Sequence, residues 1–357
     1  MKNKKLLLTV IIVIIIISAI VAILLVVKNK NMNAQTSTNV ITNEEVKDEI
    51  VENQKPQGKI DIIDITSTTR PYAVVVNNTP VAVKVQTGLN KAYLVYEFPT
   101  EGNTSRLMAL YKDVEEDLKI GTIRSARHNF IDYCLESNAI FACFGWSHYA
   151  EDDMKAGSCD YVQGLYGSPY YRENPENLAT EHTAYVNLNG LKEATQNKKI
   201  NSQVSDSKET VLLNYNAEDV DISSKEGAIK AELINIPYGA SFDTKFKYDF
   251  ENKQYLRIEN DSPNLDYITK EQFNTKNIIV QKITYTMCSD NYYWDLKTIG
   301  SGDGYFITNG YAVPIKWEKL SRSAKTKYKY LDGKEIEVSD GRTYIELQTT
   351  SQKLTIE

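Results

Sequence analysis

The chain has 357 residues, a formal net charge of −6 and four cysteines. This charge leaves no basic stripe for DNA or RNA, so a nucleic-acid partner is not expected. The cysteines form no C-x-x-C pair, and we therefore expect neither a zinc site nor another metal or cofactor. One disulfide, among Cys134, Cys143 and Cys159, and unpaired buried cysteines both remain open as alternatives.

The N-terminal end predicts a membrane anchor. Residues 6–27 contain only two polar side chains, Thr9 and Ser18, and about 20 apolar residues suffice for a helix to cross a hydrocarbon core. A cleavable signal peptide is the alternative, but its apolar region would be shorter, so we predict an uncleaved single-pass anchor. Three lysines precede the segment and two follow it, which places residues 1–5 in the cytoplasm and the bulk of the chain outside.

A polar segment and two predicted domains follow the anchor. Residues 28–66 have no sustained apolar face and predict a tether. Residues 67–205 alternate strands with helices, which indicates a mixed α/β domain carrying the charged cluster described below. Residues 206–357 show short alternating strands, which indicates a mostly β domain. The fold class expected for the whole chain is therefore α+β.

The predicted elements can be placed in chain order. Those of the first domain are strands at residues 72–77, 93–98 and 106–112, a helix at 125–135, a strand at 139–144 and helices at 149–156 and after residue 191. Those of the second domain are strands at residues 245–250, 254–258, 277–285, 304–308, 313–317 and 343–347. The turn at residues 99–103 joins the second and third strands of the first domain into a hairpin.

Residues 97–128 form the one stretch that resembles a functional site, because acidic and basic side chains crowd around two glycines. A helix that starts near Ser125 would direct its N-terminal amides towards the arginines, and such a terminus attracts anions. We expect the hairpin to bring Glu97 and Glu101 in front of this helix start. The candidate ligand-binding residues are Glu97, Glu101, Arg106, Arg124, Ser125, Arg127, His128 and, from a later loop, His182.

Three functions remain open for this cluster. Arginine forks suit phosphate and carboxylate groups, so the leading hypothesis is a protein that binds an anionic ligand of the cell envelope. Glu97 and Glu101 are alternatively the carboxylates of an envelope glycan or peptide hydrolase or transferase. If the arginines only neutralise these acids, the protein is a non-catalytic scaffold for other membrane proteins. Enzymatic activity therefore stays open, and no catalytic residue is assigned.

Two further chemistries are not supported by the spacing of the residues. His128, His148 and His182 are the three histidines of the chain, and they match no zinc signature. Ser147 lies beside His148, but Tyr149 stands where a serine-hydrolase elbow needs its second glycine.

Motifs spread over residues 67–350 resemble those of one protein family. They are Arg70-Pro-Tyr-Ala-Val-Val-Val-Asn-Asn78, Gln86-Thr-Gly-Leu89, Glu101-Gly-x-x-x-Arg106, Ile123-Arg-Ser-Ala-Arg-His128, Glu181-His-Thr-Ala-Tyr185, Gly300-Ser-Gly-x-Gly-Tyr305, Thr308-Asn-Gly310, Trp317-x-Lys319 and Gly341-Arg-Thr-Tyr344. In these motifs the chain resembles the YerB-type family of two-domain, lipoprotein-like proteins of unassigned function. The Ile-Arg-Ser-Ala-Arg-His block is the most specific of them.

The resemblance implies an extracytoplasmic, membrane-attached protein of Gram-positive-type bacteria, and it brings no established catalytic residues. Two features depart from the family pattern. The expected anchor is a helix and not a lipidated cysteine, since the first cysteine is Cys134. Glu181 stands where proline commonly precedes the histidine, which makes the loop carrying His182 less rigid.

Overall fold

The computed structural model describes residues 58–165, 169–240 and 242–357. The predicted anchor at residues 6–27, and most of the predicted tether, lie outside these ranges. No helix within them is long and apolar enough to cross a membrane. Ile60 and Ile63 are already buried in the core, so the last part of the segment predicted as a tether belongs to the folded body.

Three α-helices occur within the described ranges. They are α1 (His128–Glu136), α2 (His148–Lys155) and α3 (Leu188–Asn197), and they are accompanied by 3-10 turns at Val83–Val85, Leu89–Lys91, Thr180–His182 and Ser207–Glu209. Helix α1 begins three residues later than Ser125, where the sequence pattern placed its start. The reason is that this segment is extended: Phe144 N donates to Arg124 O, and Ala126 N donates to Gly145 O.

Strands make up most of the regular structure. In the first half of the chain they are β1 (Tyr72–Asn78), β2 (Leu94–Thr100), β3 (Thr104–Tyr111), β4 (Lys119–Gly121), β5 (Ile140–Cys143), β6 (Tyr161–Gln163), β7 (Tyr170–Arg172), β8 (Ala184–Asn187) and β9 (Asn214–Asn216). In the second half they are β10 (Ile229–Lys230), β11 (Leu233–Gly239), β12 (Phe242–Asp249), β13 (Gln254–Glu259), β14 (Ser262–Pro263), β15 (Asn274–Thr275), β16 (Asn277–Ile283), β17 (Tyr285–Met287), β18 (Trp294–Leu296), β19 (Gly300–Thr308), β20 (Tyr311–Lys319), β21 (Lys327–Tyr330), β22 (Glu337–Ser339), β23 (Thr343–Thr349) and β24 (Thr355–Ile356).

One large sheet runs through both halves of the described chain. Its eleven strands follow the order β10-β20-β19-β16-β23-β2-β3-β1-β5-β6, with β21 paired to β20. Strands β1, β5 and β6 pair in parallel, and β16, β23 and β2 do the same. The hairpin of β2 and β3 is in register from Leu94↔Leu110 to Thr100↔Thr104, as the turn at residues 99–103 predicts. The carboxyl ends of β1, β2 and β5 therefore meet at one edge of the sheet.

Each face of the large sheet is covered by a separate layer. Side chains alternate along β2, so Tyr96 and Phe98 point to one face and Val95 to the other. On the first face Phe130 of α1 packs against Phe98, with ring centroids 4.3 Å apart. The second face is covered by the sheet β14-β13-β12-β11-β24, with β15 paired to β13, and by α3. Two hydrophobic cores result, one on each side.

The fold is thus mostly strands with few helices. The boundary placed between residues 205 and 206 stays a prediction, and β2 and β23, which lie on opposite sides of it along the chain, pair in parallel. All four cysteines are free thiols, so the alternative with a disulfide is wrong and the one with unpaired cysteines holds. Burial raises the pKa of Cys134 well above its ordinary value, which keeps this thiol protonated.

Candidate functional site

The charged residues singled out by the sequence gather around the carboxyl ends of β1 and β2. Glu101 lies in the turn after β2, and Arg106 is near the start of β3. Arg124 and Arg127 lie in the extended segment that leads into α1. The carboxyl edge of parallel strands is the usual ligand position in open α/β sheets. The residues of this edge form two contacting groups, hereafter together the edge cluster: Glu101 with Arg106 and Arg127, and Glu181 with Arg124 and His182.

Glu101 is shared by two arginines. Arg127 Nε donates to Glu101 Oε2 at 3.1 Å, and Arg127 Nη2 contacts Glu101 Oε1. Arg106 Nη2 lies 3.8 Å from the same Oε1, while Arg106 Nη1 donates to Ser125 O at 2.5 Å. The Glu101 side chain is only 10% exposed. One carboxylate therefore faces two guanidinium groups, and this buried part of the cluster carries an excess positive charge.

Both of these arginines stay charged. Burial lowers the pKa of Arg106 to about 9 and that of Arg127 to about 10. These values still lie above neutral pH, so both guanidinium groups keep their protons. Arg127 is held further by Ala126 O at 2.9 Å and by the ring of Tyr293, whose centroid lies 4.8 Å from the guanidinium carbon. The sequence analysis missed Tyr293, although the aromatic run Tyr-Tyr-Trp at residues 292–294 could have drawn attention to it.

Arg124 pairs with the later loop. Its Nη1 donates to Glu181 O at 3.2 Å, and its Nη2 lies 3.5 Å from Glu181 Oε1. Its Nε is buried and has no hydrogen-bond partner among the described residues. His182 is held at Nδ1 by the side-chain amide of Asn77 at 2.9 Å. If Asn77 donates, His182 carries its proton on Nε2, which lies 3.9 Å from Glu181 Oε1.

His182 is neutral near pH 7. Burial and the nearby Arg124 charge lower its pKa, against the opposing effect of Glu181. A neutral imidazole with a proton on Nε2 remains a hydrogen-bond donor. Arg124 and His182 both approach the same carboxylate oxygen, Oε1 of Glu181.

His128 lies apart from the arginines of the edge cluster. It opens α1 and places Nε2 3.6 Å from Asp295 Oδ1, on the hairpin of β17 and β18. Burial lowers the pKa of His128, and Asp295 only partly opposes this. The ring also borders a cavity of about 370 Å³ whose charged lining residues are Asp132, Asp153, Asp295, Lys297 and Arg322. Both cations already pair with these aspartates, Lys297 with Asp295 and Arg322 with the other two, so the structure does not support His128 as an anion ligand.

Glu97 points away from the edge cluster, towards the layer that contains Thr244 and Arg257. It is 0% exposed, and its Oε2 accepts a hydrogen bond from Arg257 Nη2 at 2.8 Å. Its Oε1 accepts hydrogen bonds from Ser105 at 2.5 Å and from Thr244 at 2.9 Å. The expectation that Glu97 faces the start of the helix is wrong, because side chains alternate along β2.

Arg257 is the centre of a buried network that the sequence analysis missed. It contacts Glu97 and Glu259, and Glu346 lies in the same layer. Burial raises the pKa of Glu259 to about 8, although Arg257 opposes the rise, and burial also raises the pKa of Glu346. Alternation was the available signal, since Arg257 and Glu259 share the inward face of β13 with Tyr255.

The geometry bears on the chemistry proposed from the sequence. Glu97 is sealed inside the molecule, and Glu101 is occupied by two arginines. Neither carboxylate is placed to reach a substrate, which does not favour the hydrolase or transferase alternative. No group of three or more His, Cys, Asp or Glu side chains within the described ranges is arranged to hold a metal ion.

Comparison with known proteins identifies the family. Residues 60–201 match the N-terminal domain of the family described as "Protein of unknown function (DUF3048)", and residues 234–345 match its C-terminal domain. The chain belongs to the DUF3048 family. The edge cluster lies within the N-terminal match, and Tyr293, whose ring packs against Arg127, lies within the C-terminal match.

One curated relative is "Putative lipoprotein YerB" of Bacillus subtilis (strain 168). It is 26% identical to this chain over 284 residues, which cover 78% of the chain and 81% of the relative. The crystal structure of the YerB protein from Bacillus subtilis superposes with a TM-score of 0.68 at 23% identity, covering 82% of this chain and 95% of that one. The fold is therefore shared, and the family expected from the sequence motifs is confirmed.

Proposed function

We propose that the chain is a membrane-anchored, extracytoplasmic protein that binds an anionic ligand of the cell envelope at the edge cluster. The apolar segment at residues 6–27 supports the anchor by its length. The relative YerB is named "Putative lipoprotein". A lipoprotein is attached to a membrane, and we extend membrane attachment outside the cytoplasm to this chain.

The observation that carries the proposal is the charge balance of the edge cluster. Three arginines meet two carboxylates, and one of these, Glu181, is exposed to solvent. Buried charge without a full set of partners is costly, so an anion that enters this edge is stabilised. Phosphate and carboxylate groups match the planar fork of an arginine.

A binding experiment tests this function. Arg124→Gln removes the arginine with the weakest internal pairing, and we expect it to abolish binding of phosphate-bearing or carboxylate-bearing wall fragments in calorimetry. Lys119→Gln is the matched control: the Lys119 side chain is 22% exposed against 21% for Arg124, and it too pairs with an exposed glutamate, Glu173. Equal binding by the wild type and Arg124→Gln would refute the proposed site.

A scaffold for other membrane proteins is the second candidate. The closed pairing of Arg127 with Glu101, Ala126 O and Tyr293 favours it, because a fully partnered arginine has little left for a ligand. In that case no wall fragment binds, and Arg124→Gln leaves the recovery of membrane-protein partners in pull-down experiments unchanged.

A further inference from the structure

Glu181 holds its place in the edge cluster loosely. Its carboxylate lies 3.5 Å from Arg124 Nη2 and 3.9 Å from His182 Nε2. Well-formed charge-assisted hydrogen bonds are about 2.7–2.9 Å long, so neither contact is a strong one. The Glu181 side chain is 58% exposed. Two donors therefore converge on a carboxylate that solvent already reaches.

The backbone beneath Glu181 is fixed independently of this carboxylate. Glu181 lies in the 3-10 turn Thr180–His182, and Arg172 holds the residues on either side by donating to Thr180 O and, at 3.1 Å, to Thr183 Oγ1. The hydrogen bond between Asn77 and His182 fixes the end of the turn. The Glu181 side chain can consequently rotate away while Arg124 and His182 stay in place.

The donors around Glu181 are not saturated. Arg124 Nε has no hydrogen-bond partner among the described residues, and the one firm contact of this guanidinium is Nη1 with a backbone carbonyl. A guanidinium can give two parallel hydrogen bonds to one phosphate or carboxylate group. His182 Nε2 adds a third donor directed at the same place.

We propose that the Glu181 carboxylate occupies the position of the ligand's anionic group, and that a phosphate or carboxylate binds Arg124 and His182 by displacing it. This inference rests on the proposed function. It adds that Arg124 and His182 are the groups that bind the anion and that Glu181 competes with the anion for them. Glu181 then sets the affinity of the site, because every binding event must first break its contacts.

The test uses the purified full chain in a neutral detergent, with inorganic phosphate as the probe and phosphorus NMR line broadening as the readout. Glu181→Gln removes the competing charge. Because phosphate then no longer has to break an exposed ion pair, we expect its affinity to rise roughly two- to fivefold. Adding Arg124→Gln to this variant removes the binding. Acetate titrated in parallel, followed by its proton signal, shows whether the site prefers phosphate or carboxylate.

Glu173→Gln is the matched control. Glu173 is on the same connection between β7 and β8, its side chain is 50% exposed, and its loss frees Lys119. It therefore controls for net charge and for the release of a nearby cation, and its phosphate affinity should equal that of the wild type.

Two results separate the inference from the proposed function. If Arg124→Gln abolishes phosphate binding but Glu181→Gln binds no more tightly than Glu173→Gln, Glu181 is not a competitor and only the inference fails. If neither the wild type nor Glu181→Gln binds phosphate or acetate, both the inference and the proposed function are overturned.

Discussion

At the scale of single residues, Glu101 is the side chain on which the edge cluster depends most. It neutralises one of two guanidinium groups that are nearly removed from solvent, those of Arg106 and Arg127. Removing one member of a buried ion pair leaves the other member uncompensated, which is more harmful than never having formed the pair. The stabilising role of Glu101 is therefore distinct from that of the exposed Glu181.

Glu101→Gln should lower the free energy of unfolding by about 3 kcal/mol, because Arg106 and Arg127 then repel each other without a counter-charge. Urea unfolding followed by circular dichroism measures the change. Glu181→Gln is the control, and we expect it to unfold at nearly the wild-type urea concentration. Equal midpoints for the two variants would show that Glu101 does not carry the pairing seen here.

Glu259 predicts a pH dependence of stability. Burial raises its pKa in the folded state to about 8, whereas a glutamate in an unfolded chain titrates near about 4.3. The folded state thus binds the proton more tightly than the unfolded state. The stability that protonated Glu259 contributes is therefore fully present below about pH 4 and is lost as the pH rises through about 8.

Glu259→Gln should remove this decrease of the free energy of unfolding with pH, because a glutamine stays neutral at every pH. The glutamine can still accept a hydrogen bond from Thr244, as Glu259 does. Relative to the wild type, the variant should gain more than about 1 kcal/mol of stability between about pH 5 and about pH 8. Urea unfolding at both pH values provides the difference, and parallel curves for the two proteins would contradict the assignment.

At the scale of elements, one side chain of α1 makes two hydrogen bonds to the backbone of the hairpin of β17 and β18. Asn129 Nδ2 donates to Trp294 O at 2.7 Å, and its Oδ1 accepts from Leu296 N at 3.1 Å. The pairing of β17 with β18 spans only three residue pairs, and a short isolated hairpin has little stability of its own. The position of Tyr293 over Arg127 therefore depends on Asn129.

Asn129→Ala should loosen this hairpin locally by about 1–2 kcal/mol, since two hydrogen bonds are lost from a mostly buried amide. Hydrogen exchange followed by mass spectrometry should show faster exchange at residues 285–296. Peptides from β11 and β12 serve as the internal control and should be unchanged. Unaltered exchange in the hairpin would mean that other contacts hold it.

The positions of the helices and strands along the chain were easier to predict than the contacts between them. Continuous apolar runs and turn residues located β1, β2 and β3 to within two residues, because local pattern determines them. The start of α1 was misplaced, since Ser125 follows a strand-like path beside residues 144–147 that only the folded chain supplies. Likewise, Glu97 and Glu101 are close along the chain, but Glu97 lies within β2 and contacts Arg257, whereas Glu101 lies in the turn after β2 and contacts Arg127.

At the scale of the whole molecule, the large sheet joins the first and second halves of the chain. Strand β2 pairs in parallel with β23 from Leu94↔Thr343 to Glu97↔Glu346. The network around Arg257 crosses the same junction, since Arg257 is on β13 and binds Glu97 on β2. No local sequence pattern predicts this pairing, because strands that are far apart along the chain become neighbours only when the hydrophobic core forms.

A chain that ends at residue 342 should therefore fail to fold as a whole, because it lacks β23 and leaves β2 and β16 unpaired on that side. A chain that ends at residue 353 is the control, since it loses only the short edge strand β24. Near-ultraviolet circular dichroism and the cooperativity of urea unfolding distinguish the two. If residues 67–205 kept their cooperative transition in the shorter chain, the first half would be an independent folding unit.

The pairing of β2 with β23 also has a consequence for biosynthesis. Strand β2 is finished when Thr100 has been made, yet its parallel partner begins only at Thr343. At about 5–20 residues per second, the backbone amides and carbonyls on this side of β2 stay unpaired for roughly 10–50 s. Unpaired strands of this kind readily join foreign chains. The nascent protein therefore passes through a vulnerable interval that ends only after β23 has been made.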